Sequence, residues 1–224
     1  MTESGYILID KPKTWTSFDV VAKLRNITGI KKIGHAGTLD PIATGLLIVA
    51  IGRDATKHIE ELMKLDKVYI VKAKLGEVSD TYDADGEIKI KENKEISEDE
   101  LLKVVNKYIG EIEQVPPMYS AKKVKGKKLY ELARQGKEIE RQAVKINISD
   151  IKLLDFTNPY FELEVSCGSG TYIRSLVHDI GQDLNMGAVM YELRRTRIGK
   201  YDIQKAVQIE QLTKDNWQEY LFNK

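Results

Sequence analysis

The sequence has a single cysteine, Cys167, among its 224 residues, so no internal disulfide is available and a reducing compartment is expected. It has no long hydrophobic run. The longest, Leu46 to Ile51, falls far short of the roughly 20 apolar residues that a membrane helix needs. The start, MTESGYILIDKP, shows no basic residues followed by an apolar stretch, so no secretory signal is expected. Histidine is scarce: His35, His58 and His178 are scattered and have no cysteine or carboxylate at ligand spacing, which speaks against a metal centre. A zinc nucleobase deaminase needs a Pro-Cys-x-x-Cys motif, which one cysteine cannot supply. An excess of one charge is missing too, with 35 basic residues against 34 acidic ones. These absences leave a soluble cytoplasmic protein without a metal as the expectation.

What the chain does have is an uneven distribution of charge. Residues 77–100 carry ten acids against three lysines, whereas residues 119–137 carry seven bases against Glu131 alone. The basic block comprises Lys122, Lys123, Lys125, Lys127, Lys128, Arg134 and Lys137. Such a block can neutralise backbone phosphates and add salt-dependent affinity for nucleic acid, although a basic run alone is more often simply a solvated loop.

Patterning gives the elements. Tyr6 to Ile9 reads as a strand, and Ser17 as the N-cap of a helix with Val20, Val21 and Leu24 on one face and Gly29 past its end. The stretch from Gly34 to Gly45 reads as a loop, and the apolar run after it as a strand buried on both faces. A short helix is expected around Ala55 to Lys64. From Lys67 the pattern alternates, with Tyr69, Val71, Ala73 and Leu75 on one face. Asp83 to Gly86 reads as a turn leading into EIKIKE. Ser97 starts a capped helix bearing Leu101, Leu102, Val105 and Tyr108, ended by Gly110. Residues 114–141 read as a basic, partly looped insertion with a helical piece around Lys128 to Gln135. Strands follow at Val144 to Leu154 and Tyr160 to Cys167, then a helix from Tyr172, a strand pair around Ala188 to Ile203 and a short C-terminal helix. Without regular βαβ alternation, the expected fold is α+β with a mixed, largely antiparallel central sheet flanked by helices.

Two motifs carry less than they suggest. Thr81 to Glu92 approaches a calcium loop, but its first position is Thr81 and its flanks read as strands. Ser120 and Lys123 have the Ser-x-x-Lys spacing of penicillin-interacting enzymes, without the Ser-Asp-Asn or Lys-Thr-Gly partners that such a site requires.

The informative stretch runs Gly34-His35-Ala36-Gly37-Thr38-Leu39-Asp40-Pro41-Ile42-Ala43-Thr44-Gly45. Three glycines let the backbone come close to a flat or phosphate-bearing ligand, and Pro41 biases Asp40 away from helix, so its carboxylate sits on a rigid turn. This run resembles the signature of the bacterial tRNA pseudouridine synthase B family, and the resemblance extends from Asp10-Lys11-Pro12 to Tyr201. Along it lie Asp80-Thr81-Tyr82-Asp83-Ala84-Asp85-Gly86, Pro117-Met118-Tyr119-Ser120-Ala121, Gly126-Lys127-Lys128-Leu129-Tyr130 and Ala133-Arg134-Gln135-Gly136. Gly170-Thr171-Tyr172-Ile173-Arg174-Ser175-Leu176 and Leu193-Arg194-Arg195-Thr196 complete it.

The resemblance implies isomerisation of the T-loop uridine at position 55 of tRNA, with the nucleotide flipped out of its stack. It implies that Asp40 is the catalytic aspartate, that Tyr69 packs on the target base and that Arg174 pairs with the aspartate. It places Lys11 and Leu193 in the pocket and His35 against the RNA. The insertion, with Lys122, Lys123, Lys127, Lys128 and Arg134, is implied to grip RNA. No cofactor is implied, since the reaction is neither redox nor group addition. The T-arm of tRNA is the expected partner, with no membrane, no obligate protein partner and a monomeric state. One catalytic domain, residues 1–224, is expected, lacking the C-terminal RNA-binding domain into which members usually continue. Two departures stand out: Ala36 where threonine is frequent and Thr14 where glycine is common.

Overall fold

The computed structural model describes residues 4–91, 94–120, 122–124, 126–133, 135–137 and 139–223. In chain order these form β1 (Gly5–Lys11), α1 (Ser17–Thr28), β2 (Ile33–Ala36), β3 (Thr44–Ile51), α2 (Gly52–Thr56), α3 (Ile59–Met63) and β4 (Lys67–Leu75). Next come β5 (Glu77–Ser79), β6 (Ile88–Ile90), α4 (Glu98–Val105), β7 (Gly110–Gln114), β8 (Lys123–Val124), β9 (Lys127–Lys128) and α5 (Leu129–Ala133). The chain continues with β10 (Val144–Thr157), β11 (Tyr160–Cys167), α6 (Ile173–Asp183), β12 (Ala188–Ile198), β13 (Tyr201–Asp202) and β14 (Val207–Gln208). The fold is α+β and its strand pairing is mostly antiparallel, as the patterning implies. Among the described residues no helix is long and apolar enough to cross a membrane.

The chain divides into two compact units, Met1–Ile70 with Leu193–Lys224, and Val71–Glu192, and β4 and β12 run from one into the other. In the first unit β1 pairs antiparallel with β3 over its full length, from Gly5↔Ile51 to Lys11↔Gly45. β14 joins β1 in parallel, β2 joins β3 antiparallel, and β12 meets β3 in parallel at Arg194↔Thr44 and Arg195↔Gly45. Alternation along β1 and β3 sends Ile7, Ile9, Leu47, Val49 and Ile51 to one face, where Val20, Val21 and Leu24 of α1 cover them. Tyr6, Leu8, Leu46, Ile48 and Ala50 go to the opposite face, against Leu62, Ile198 and Tyr201. Both faces of β3 are therefore dry, which is why its sequence is continuously apolar instead of alternating.

In the second unit β4, β11, β10 and β7 are neighbours in that order, and β10 is antiparallel to both β11 and β7. α4 has the expected Ser97 cap, in a reciprocal box with Glu100, and buries Leu101, Val104 and Val105. The basic insertion has a core of its own, Met118, Leu129 and Leu132, and a small β8–β9 hairpin.

Several elements differ from the sequence expectation. The segment read as loop from Gly34 begins inside β2, whose four residues pair with β3 from Ile33↔Ile51 to Ala36↔Ile48. Four residues with a glycine among them are too few for a period to show. The helix expected over 55–64 is two short helices, and Ile88–Ile90 form β6 against β5, not against β4. β7 is a strand that the pattern does not signal, and the expected C-terminal helix is a set of 3₁₀ turns. The cap of α1 is Thr16, not Ser17: Thr16 Oγ1 accepts from Asp19 N–H at 3.1 Å while Asp19 Oδ2 accepts from Thr16 N–H at 2.8 Å. Thr16→Ala leaves the Asp19 N–H at the helix start without its acceptor, so it is expected to destabilise the protein by about 1 kcal/mol in urea unfolding, with an unchanged dependence on urea.

Candidate active site

Asp40 lies in the first unit on the turn between β2 and β3, half buried, and its neighbours are pinned from several directions. Ser17, released from capping by Thr16, is buried and bonds Leu39 twice: its hydroxyl accepts from Leu39 N–H at 2.9 Å and donates to Leu39 O at 3.3 Å. On the other side of Asp40, Pro41 O accepts from Thr14 N–H at 2.8 Å. The carbonyl of Asp40 itself accepts from Ala43 N–H at 3.0 Å. Pro41 needs no donor of its own here, and a residue preceding proline is steered away from helix, so the sequence Asp-Pro suits this turn. Thr14 adopts φ +73°, a left-handed conformation unusual for a β-branched residue. The position where glycine is common in the resembled family is thus one that braces the turn carrying Asp40.

Lys11, the last residue of β1, is fully buried. Its ammonium donates to Pro12 O at 2.9 Å and Trp15 O at 2.6 Å. Burial pushes its pKa down to about 8; the carboxylate of Asp40 opposes that shift and the charge of Arg195 adds to it. Keeping this proton at neutral pH costs the fold about 3 kcal/mol, a cost of the kind that functional groups carry. The sign follows: the folded state gives up the proton more readily than the unfolded chain. The stability owed to Lys11 therefore rises as pH climbs from about 8 towards 10.5.

The other expected residues fall as follows. His35 is half buried on β2, opposite Val49. Burial, and after it the charge of Arg195, hold its imidazole below the usual range, so it is neutral at pH 7. Tyr69 is buried on β4 in the same unit, and Leu193 is buried on β12 with its carbonyl accepting from Thr44 Oγ1 at 3.5 Å. Arg174 is in the second unit, at the start of α6, with its side chain 5% exposed. There it donates to Thr81 O at 3.0 Å and Tyr119 O at 2.8 Å and lies 3.3 Å from Asp83 Oδ2. It fastens the turn Asp80 to Gly86 to the first part of the insertion. Asp83, an acid of the calcium-like stretch, is also committed to the turn, accepting from Thr81 Oγ1 at 2.6 Å and Asp85 N–H at 3.2 Å.

Of the expected RNA-binding residues, Lys122 is half buried before β8, with its carbonyl accepting from Leu129 N–H at 2.9 Å. Lys123 lies on β8, and Lys127 and Lys128 on β9, in register Lys123↔Lys128 and Val124↔Lys127. Arg134 lies outside the described residues.

Three residues of the site escape sequence reasoning: Ser17, Thr14 and Arg195. Arg195 is 1% exposed, and its Nε donates to Leu46 O at 2.8 Å and its Nη2 to Gly37 O at 3.1 Å. A signal existed for it. Leu193 and Arg195 are two apart on one strand and so share a face, which means that a pocket role for the first turns the second inward.

A carboxylate on a braced turn beside a buried ammonium matches the family signature, and comparison with known proteins decides the matter. Residues 25–173 match the TruB family pseudouridylate synthase (N terminal domain), and residues 174–224 match the tRNA pseudouridylate synthase B C-terminal domain. The chain belongs to the TruB family. It is 47% identical over 219 residues to tRNA pseudouridine synthase B of Clostridium tetani, covering 97% of this chain and 75% of that protein. The Clostridium novyi protein of the same name is 49% identical over 221 residues, covering 98% and 76%. Among solved structures, a chain of a Cbf5–Nop10–Gar1 complex superposes with a TM-score of 0.73 at 30% identity, over 96% of this chain and 56% of its own length. This TruB family member is an isomerase that converts uridine in tRNA to pseudouridine.

The state of Lys11 gives a pH test. Above about pH 8 the ammonium beside Asp40 is lost, so single-turnover rates on tRNA are expected to fall through an apparent pKa near 8. In Lys11→Met that alkaline limb is expected to vanish along with most of the rate. A parent rate that stays flat to about pH 9.5 would separate Lys11 from the chemistry.

Proposed function

We propose that the enzyme isomerises the T-loop uridine, position 55, of tRNA and that Asp40 carries the chemistry. The observation that supports this most is the bracing of the Asp40 turn, with Leu39 held by Ser17, Pro41 by Thr14 and the Lys11 ammonium next to the carboxylate. In the reaction the bond from C1′ to N1 breaks, the base turns and C1′ joins C5. The proton leaves C5 and N1 gains one. No electron or external group enters, so the chemistry calls for no cofactor. A carboxylate at C1′ can capture the positive charge that develops at the sugar, as a glycosidase nucleophile does, or take a proton from C2′ to give a glycal.

The target atoms are inaccessible in a stacked loop, so the nucleotide is flipped out and Tyr69 replaces the lost stacking. Base–aromatic stacking supplies roughly 1–3 kcal/mol, comparable with what unstacking costs. Leu193 and Lys11 line the pocket, neutral His35 meets the RNA, and Arg174 is the cation that serves the catalytic carboxylate, all as the family resemblance implies. Lys122, Lys123, Lys127, Lys128 and Arg134 neutralise phosphates of the T-arm, adding affinity that falls with salt. The enzyme works in the cytoplasm as a monomer without an obligate protein partner, residues 1–224 forming one catalytic domain with the insertion at 114–141.

Tritium release from tRNA labelled at C5 of uridine tests the reading. Release by the parent is expected, with loss of more than about 1000-fold in Asp40→Asn while tRNA affinity is kept. A tRNA bearing cytidine at position 55 is expected to release nothing. Release from Asp40→Asn at the parent rate would remove Asp40 from the mechanism, and release from the cytidine-55 tRNA would move the target elsewhere.

A further inference from the structure

Arg195 is a buried cation, and among the described residues no carboxylate lies within ion-pair distance of it. Its partners are backbone carbonyls, and which carbonyls they are matters. Gly37 directly follows β2 and Leu46 lies near the start of β3, so the two oxygens stand at opposite ends of the segment that carries Asp40. We propose that Arg195 is a positioning residue for the reaction, one planar guanidinium that clasps both ends of the Asp40 turn and fixes where its carboxylate stands.

The surrounding backbone is shaped for this clasp. Gly37 and Gly45 have φ of +93° and +102°, which glycine adopts without penalty. A Cβ on Gly45 would come within 2.3 Å of the backbone oxygen of Arg195. On Gly37 a Cβ would meet its Nη1 at 3.4 Å. The glycines of the signature therefore let β12 lie close against the turn, and Arg195 uses that proximity. Strand register locks the approach, with Arg195 opposite Gly45 in the parallel pair of β12 and β3.

The chemistry of the residue fits as well. The two carbonyls are met by two separate nitrogens, Nε and Nη2, held in one rigid plane, whereas a lysine offers a single nitrogen on a flexible stem. A fold that needed only packing here would do as well with an apolar residue of similar volume, because burying a charge without a counter-ion is unfavourable. Ser17 and Thr14 hold the middle of the turn, and Arg195 supplies the hold at its ends.

The proposal rests on Asp40 carrying the chemistry, and the test keeps the two apart. Arg195→Lys retains charge and bulk but loses the fork; single-turnover rates are expected to fall roughly 100-fold with tRNA affinity within about threefold of the parent. Hydrogen exchange of a peptide spanning 37–46 is expected to quicken while β1 keeps its protection. In Arg195→Gln the alkaline limb of the rate is expected to move up, because the repulsion that helps to lower Lys11 is gone, whereas Arg195→Lys leaves the limb in place. A parent-like rate in Arg195→Lys would overturn the proposal. So would a loss of rate that only tracks loss of protection throughout the chain. Parent-like release from Asp40→Asn would instead overturn the reading of the site itself.

Discussion

Along the ladder that joins β1 to β3, Lys11 stands opposite Gly45, and that register decides what the site can contain. β1 alternates strictly, so Ile7, Ile9 and Lys11 point to one face and Tyr6, Leu8 and Asp10 to the other. A slip of one residue would send the isoleucines out of the core beneath α1 and carry the ammonium to the opposite face. The hydrophobic pattern therefore does more than hold the sheet together. It aims a lysine at the turn that precedes β3, and the apolar residues resist any register that would aim it elsewhere.

Two buried cations in one small volume make that arrangement costly. Lys11 and Arg195 each lose hydration, and each raises the cost of the other, which is visible in the lowered pKa of Lys11. Carbonyl groups compensate part of this: Pro12 and Trp15 for Lys11, Gly37 and Leu46 for Arg195. The carboxylate of Asp40, and after it that of Asp19, favours the Lys11 ammonium. Positive potential concentrated near a carboxylate orients it, and it also attracts a polyanionic substrate. Stability is given up locally for that field, while the dry faces of β3 restore it elsewhere.

Much of this was legible in the sequence, and the remainder failed for identifiable reasons. Long strands with clean alternation, the capped α4 and the continuous apolar β3 all follow from patterning, because burial on one or two faces dictates each pattern. Asp40 stands out in the sequence because the glycine-rich run that carries it, Gly34 to Gly45, extends far enough to match a family. Arg195 is harder to read, because its one signal, the two-residue spacing from Leu193, points inward only once Leu193 is placed in the pocket, and its partners come from a pairing of strands distant in sequence. Ser17 was misassigned for a related reason. Thr16 and Ser17 are both good caps, and Asp19 lies at the capping-box position for Thr16, whereas the pull of Leu39 on Ser17 comes from residues distant in sequence.

Thr14 shows how such distant demands override local preference. Its left-handed backbone costs a β-branched residue about 1–2 kcal/mol, and glycine would remove that cost. The conformation persists because it directs the Thr14 N–H at Pro41 O, joining the loop after β1 to the turn that bears Asp40. That loop also supplies the Pro12 and Trp15 carbonyls that hold Lys11. Relaxing Thr14 into an ordinary conformation would therefore disturb both partners at once, the carboxylate on one loop and the ammonium held by the other. The strain is local, and what it fixes is the relation between two charges.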